Sequence, residues 1–290
     1  MRLILLPQFL PGHELAPFAF RVLIILLTSG FACATPLHAG GSADCTFGVD
    51  RFGEPAIRDL ALRLNDELDS RKVNVAIVAR AGRLREQMPR GINYTHVAFI
   101  VFEPVVGGDG ATFYTYTVYN LYQGAKGKET TSFLKQDLTY DFVAGIAEKD
   151  VAVCVPSDAL QQRIVRVIRS PAYRGLYTPE YNLIANPWVD RYDNCVTHAL
   201  KVCVAAIYQT EDRARIYADI RAYFHPTRVR LGPIQTIGSN FVPELRRDDM
   251  DAHGLQTATY DSLKQFLAEN GLMKESFTVD VKVPSVARAE

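Results

Sequence analysis

Apolar residues recur at helical spacing in "EPAIRDLALRLNDELDS", where Ile57, Leu60, Ala61, Leu64 and Leu68 fall on one face. Pro55 stands at the first helical position, where its missing N–H is no loss. The period then changes. "VNVAIVAR", from Val73, is short and β-branched and reads as a buried strand; "AGRLREQMPRGIN" after it is polar and reads as an exposed loop. "YTHVAFIVFEP" and "ATFYTYTVYNLYQG", joined by "VVGGDG", predict an antiparallel pair at the core of a sheet. "DVAVCVP", from Asp150, predicts a further strand, and Ser157 then caps a helix with Leu160, Ile164, Val165 and Ile168 along one side.

The segment "SPAYRGLYTPEYNLIANPWVDRYDN" has no regular period. Its Pro, Tyr and Asn residues and the single tryptophan, Trp188, mark it as the ordered wall of a site rather than a linker. A helix opening at Cys195 follows, then one in "TEDRARIYADIRAYF" and one in "TYDSLKQFLAENG", capped by Thr259 and ended at Gly271. Without a repeat or an interdomain linker, residues 41–290 predict one α+β domain.

Charge removes one class of function. The 32 basic and 32 acidic residues cancel, leaving no global field to hold nucleic acid. Residues 1–40 read as an export signal: Arg21 precedes an apolar run that gives way to small residues, with cleavage near Ala39 or Gly41, or after "ACA" at Ala34. A membrane span needs roughly 20 apolar residues, and Arg21 cuts this run short. A periplasmic or secreted protein is therefore expected, with no stable membrane span in the mature chain. Its cysteines are Cys45, Cys154, Cys195 and Cys203. No pair has CxxC spacing, so neither a metal site nor a cofactor is expected.

The chemistry centres on "YDNCVTHAL". Cys195 directly follows Asp193 and Asn194, both capping residues, and a thiol at a helix N-terminus feels the positive end of the macrodipole, which lowers a pKa of about 8.5. A thiol nucleophile also needs a base, and the base a group to orient it. His198, three residues on, shares roughly the same helix face but also reads as a helix-surface residue. His225 and His253 lie in polar loop sequence. His96 sits mid-strand among apolar residues, on a face with Tyr94, Ala98, Ile100 and Phe102.

A strand histidine in "YTHVAF" upstream of a helix-opening "NC" resembles the circularly permuted papain-like superfamily, which includes relatives of the NlpC-type endopeptidases and the lecithin:retinol acyltransferase-like proteins. More closely, "VAIVARAGR", "YTHVAFIVF", "VYNLYQG" and "YNLIANPWVDRYDNC" resemble an uncharacterised bacterial family, domain of unknown function 2145. The resemblance implies an antiparallel sheet packed against the cysteine helix, with Cys195 as nucleophile, His96 as general base and Asn120 as its orienting partner, Glu103 and Tyr119 being alternatives. A hairpin turning about Gly108 sets position 120 opposite 96. Oxyanion donors would be the Cys195 N–H with Tyr192 or Asn194, and Tyr94 and Trp188 would line the substrate. The implied function is an exported thiol hydrolase or acyltransferase acting on an amide or ester of a cell-envelope peptide or lipid. The alternative is a non-catalytic envelope binding protein using the same groove. The sulfur of Cys195 and the imidazole of His96 are expected within about 3 to 4 Å, or close enough to tighten on substrate binding. With Cys195 free and Cys203 on a buried helix face, Cys45 and Cys154 are left either to pair or to stay reduced.

Overall fold

Every residue of the strand Val75–Arg80 is buried, and the two-residue period sends its side chains to opposite sides. Val75, Ile77 and Ala79 join one apolar cluster, Ala76 and Val78 another. A strand buried on both faces must lie between two layers of helix. The structure, a computed structural model, describes residues 47–125, 127–230 and 244–282. The predicted export signal and Cys45 lie outside those residues.

In chain order the elements are α1 (Phe47–Phe52), α2 (Glu54–Ser70), β1 (Val75–Arg80), β2 (His96–Val106), β3 (Thr112–Gln123), β4 (Ser132–Leu138) and α3 (Thr139–Ala144). There follow β5 (Asp150–Pro156), α4 (Asp158–Ile168), α5 (Ala172–Gly175), α6 (Cys195–Tyr208), α7 (Arg213–Tyr223), β6 (Thr227–Arg228), β7 (Gln256–Thr257), α8 (Tyr260–Glu269) and β8 (Met273–Asp280). Six strands form one antiparallel sheet in the order β4-β3-β2-β1-β5-β8. Helices α1 to α3 cover one face with Ile57, Leu60, Leu64 and Phe142, and α4 to α8 cover the other with Ile164, Val202, Ile220 and Leu263. The protein is thus a mixed α+β fold. Among the described residues no helix is long and apolar enough to cross a membrane.

The predicted face of α2 is buried as expected, each Leu or Ile contributing roughly 1.5–3 kcal/mol. The "AGRLREQMPRGIN" segment holds a single 3-10 turn, Arg85–Gln87. The β2–β3 hairpin turns two residues later than expected in summed register: Asn120 lies opposite Ala98, not His96. A slip of two keeps the parity, so Asn120 and His96 still share a face. The surface reading of His198 is overturned. In α6 every residue from Cys195 to Ala206 is buried, because the helix packs on the sheet and between α4, α7 and α8.

Candidate functional site

The start of α6 is locked from its own sequence. Asn194 Oδ1 accepts from the N–H groups of Val196 (3.0 Å) and Thr197 (2.9 Å), while the Asn194 N–H donates to Thr197 Oγ1 (2.8 Å), a reciprocal cap that leaves Cys195 as the first helical residue. Behind it Asp193, wholly buried, takes Lys201 Nζ at 2.7 Å, the Thr178 N–H at 2.9 Å and the Thr197 hydroxyl at 3.0 Å. Lys201 is itself 1% exposed. The turn before the cysteine is therefore tied both to the second turn of its helix and to the preceding loop.

The Cys195 thiol donates to the Thr95 carbonyl at 3.8 Å. The nearby backbone N–H groups of Val97, Val196 and Cys195 and the Arg80 charge favour thiolate. Burial outweighs them: the thiol is 6% exposed and is pushed up to about 11. The expected depression of its pKa is thus reversed, since full burial shifts a thiol by several units and a helix terminus is worth at most about 2 kcal/mol. Tyr181, 4% exposed and within electrostatic reach of the sulfur, belongs to this closed pocket.

His96 is fully buried at the start of β2. Its Nε2 meets Asn120 Oδ1 at 3.0 Å; Asn120 Nδ2 donates to Asp137 Oδ2 at 3.0 Å, which also accepts from Tyr122 Oη at 2.8 Å. Lys135 closes the chain on Asp137 Oδ1 at 2.6 Å. With the amide oxygen as acceptor, Nε2 carries the hydrogen and Nδ1 its lone pair, a tautomer assigned from the network. Nδ1 is buried without a hydrogen-bond partner. The ring stacks on Tyr122 (4.8 Å, 11°) and tilts toward Phe142 (5.8 Å). Burial, helped by the Arg80 charge, pushes its pKa down to about 3. Arg80, the cross-strand neighbour of His96, is 2% exposed, its guanidinium 5.5 Å from the Phe142 ring centre. A Cβ on Gly145 would lie 1.3 Å from Arg80 Nη1, so only glycine leaves room for that cation.

Cys195 and His96 make no hydrogen bond with each other. The sulfur touches the backbone on either side of His96, at Thr95 and Val97, and Cys195 clusters with Val97 and Phe99 under α6. The imidazole lies with Phe142 on the α3 side, the opposite face of the sheet, so the expected contact between sulfur and imidazole is not made. Asp137, which extends the relay onto β4, was missed by sequence reading because β4 itself was. Its signal would have been an acidic residue in an otherwise weakly patterned edge strand.

The remaining candidates are scattered. Tyr94 donates to Asp150 at 2.9 Å beside a bidentate Arg85, in a cleft of about 480 Å³ shared with Asp261 and Lys264. Trp188 is half-buried, its Nε1 donating to the Phe224 carbonyl at 3.4 Å. Tyr192 donates to Asp248 at 2.9 Å and lines a second cleft of about 630 Å³. Asn194 Nδ2 donates to Leu183 O and Thr257 Oγ1, both at 3.3 Å. The polar groups that favour thiolate are therefore backbone amides and Arg80, while the Tyr192 and Asn194 side chains donate elsewhere. Neither cleft is lined by Cys195, His96 or Asn120. His198 has no hydrogen-bond partner on either ring nitrogen and meets the edge of Tyr173 at 5.0 Å, whose hydroxyl is likewise unbonded. Among the described residues Cys154 is a buried free thiol, and its expected pairing with Cys45 lies outside them; Cys203 is free and buried as expected. No curated protein and no solved structure matches the chain. Over residues 67–267 it matches the family described as an uncharacterized protein conserved in bacteria, DUF2145, and it belongs to that family.

Proposed function

We propose that this protein is an exported thiol hydrolase or acyltransferase of permuted papain-like design, whose Cys195 forms a thioester with the acyl group of an envelope amide or ester. One observation carries the reading: the sulfur sits at the start of α6 under three backbone N–H groups and against the strand residues flanking His96, whose ring is held by Asn120 and Asp137. In the reaction the sulfur adds to the carbonyl carbon as the thiol proton passes to the departing amine or alcohol, which leaves with it. Water, or a second amine or alcohol, then cleaves the thioester and restores the thiol. The N–H groups at the sulfur face the charge that develops on the carbonyl oxygen. Thiol and imidazole lie on opposite faces of the sheet, so His96 acts on the sulfur only through the strand that it holds in place.

A second reading, a non-catalytic binding protein, is favoured by the missing sulfur–imidazole contact and by the burial of both groups. An electrophilic thiol probe followed by peptide mapping separates the two. The enzyme reading expects selective labelling of Cys195 near neutral pH that falls in His96→Ala with the fold retained. Labelling that appears only on unfolding supports the binding protein. Labelling unchanged in His96→Ala removes His96 from any role at the thiol.

A further inference from the structure

The 630 Å³ cleft beside Tyr192 has a charge pattern that the thiol reading leaves unused. Its walls carry Arg191, Arg213 and Arg246 against Glu180 and Asp190. Two of the three cations are matched. Arg213 forks onto Asp190, with Nε to Oδ2 at 2.8 Å, and Arg191 pairs with Asp248 at 2.7 Å. Arg246 is not: its guanidinium lies 4.9 Å from the Tyr192 ring centre and donates to the Tyr192 hydroxyl at 3.1 Å, and it makes no ion pair among the described residues. Nor does the exposed Glu180. The cleft thus presents one unmatched cation and one unmatched anion. Pro179 is the one lining residue without a polar side chain, so the cleft is lined mainly by groups that recognise charge and hydrogen bonds.

The floor is rigid. Thr178 takes a bond from Arg213 at 2.8 Å and donates its N–H to the buried Asp193, and Tyr192 is itself 3% exposed. Tyr192 precedes Cys195 by three residues, which at 3.8 Å per residue is at most about 11 Å along the chain. A ligand seated here lies within a few residues' length of the thiol.

We propose that this cleft binds a short peptide bearing both a free carboxylate and a free ammonium, the carboxylate on Arg246 and the ammonium facing Glu180. A guanidinium backed by a ring and fixed by one bond is preorganised for a carboxylate, with its remaining donors open to the cleft. That this peptide is the substrate of Cys195 rests on the thiol reading; the binding does not.

Calorimetric titration of the intact chain with trialanine, N-acetyl-trialanine and trialanine amide tests the proposal. Free trialanine is expected to bind roughly tenfold or more tighter than either capped form, the worth of one hydrogen-bonded charge. Arg246→Gln should erase the preference for acid over amide while keeping the preference for free amine, and Glu180→Gln should do the reverse. Equal binding of free and capped peptides, no binding of any, or saturable binding to phosphatidylglycerol vesicles that Arg246→Gln removes would overturn it. The titration repeated on Cys195→Ala keeps the two ideas apart. Unchanged peptide binding there, with an inert Cys195 in the native chain, sinks the thiol reading and leaves the cleft standing.

Discussion

The two faces of the sheet treat their buried polar groups in opposite ways. On the α3 face His96, Asn120, Asp137 and Tyr122 form a continuous chain of hydrogen bonds that reaches the surface at Lys135, half exposed. On the α6 face the Asp193–Lys201 pair is saturated, yet one turn along the helix from Cys195 the imidazole of His198 and the hydroxyl of Tyr173 have no partners. A satisfied network fixes geometry, whereas an unsatisfied group raises the free energy of the fold. The first face is built to hold one ring still. The second holds a cap rigid and leaves free polar atoms next to it.

Both histidines are held neutral by burial, and this gives the largest expected effect. His96 falls to about 3 and His198 is also lowered, so the unfolded chain, with an ordinary histidine pKa near 6.5, binds protons first as pH falls. Their contribution is whole above pH 6.5 and is lost as pH drops from there, for His96 down to about 3, at up to about 1.4 kcal/mol per pH unit for each. Urea unfolding of the native chain at pH 7, 6 and 5 should show this slope. His96→Leu should flatten it by one histidine's share, and His198→Phe by the other. Parallel slopes in all three proteins would mean that neither ring is neutral in the fold.

Next in size is the ion pair. Lys201→Met strands a fully buried carboxylate and is expected to destabilise by about 3–5 kcal/mol, measured by denaturant midpoint. Lys201→Met with Asp193→Asn removes both charges and should recover much of the loss. A single variant as stable as the parent would show that Asp193 is protonated in the fold.

How much of this contrast was legible depends on the range of the rule that encodes it. The cap at Asn194 and the faces of α2, α4 and α8 follow from neighbours within one or two turns, and they are found where the sequence puts them. The shared face of His96 and Asn120 survived an error of two in register because strand geometry depends on parity. β4 and β8 were hidden because edge strands carry charge and few apolar residues: β4 reads "SFLKQDL" and β8 "MKESFTVD". With β4 went Asp137. The closed state of Cys195 was hidden for another reason, since Tyr181 reaches it from a loop with no period. The macrodipole is a local rule, and desolvation, which overrules it here, is set by tertiary packing.

Asn120→Ala tests the ordered face directly. It leaves His96 Nε2 and one bond of Asp137 unmade in a buried site, at a loss of about 1–3 kcal/mol. The His96 ring should then sample a second orientation, visible as broadened or doubled imidazole resonances. Loss of stability with one sharp set of resonances would mean that Tyr122 and Phe142 alone fix the ring.

His198→Phe carries the smallest expected change and the sharpest contrast. Neither of its nitrogens has a partner to lose, and its neighbours include the ring of Tyr173 and the apolar side chains of the α6 cluster. Replacing an unsatisfied buried polar group by an apolar one of similar shape is near neutral or stabilising, because the desolvation penalty disappears with the group. The unfolding free energy at pH 7 is therefore expected to stay within about 1 kcal/mol of the parent or to rise, while the same class of substitution at His96 lowers it. A loss at His198 equal to that at His96 would show that its nitrogens are bonded in solution, by buried water shared with the Tyr173 hydroxyl. The two faces would then be equally satisfied, and the contrast between them would lie in who supplies the partners: side chains on one face, solvent on the other.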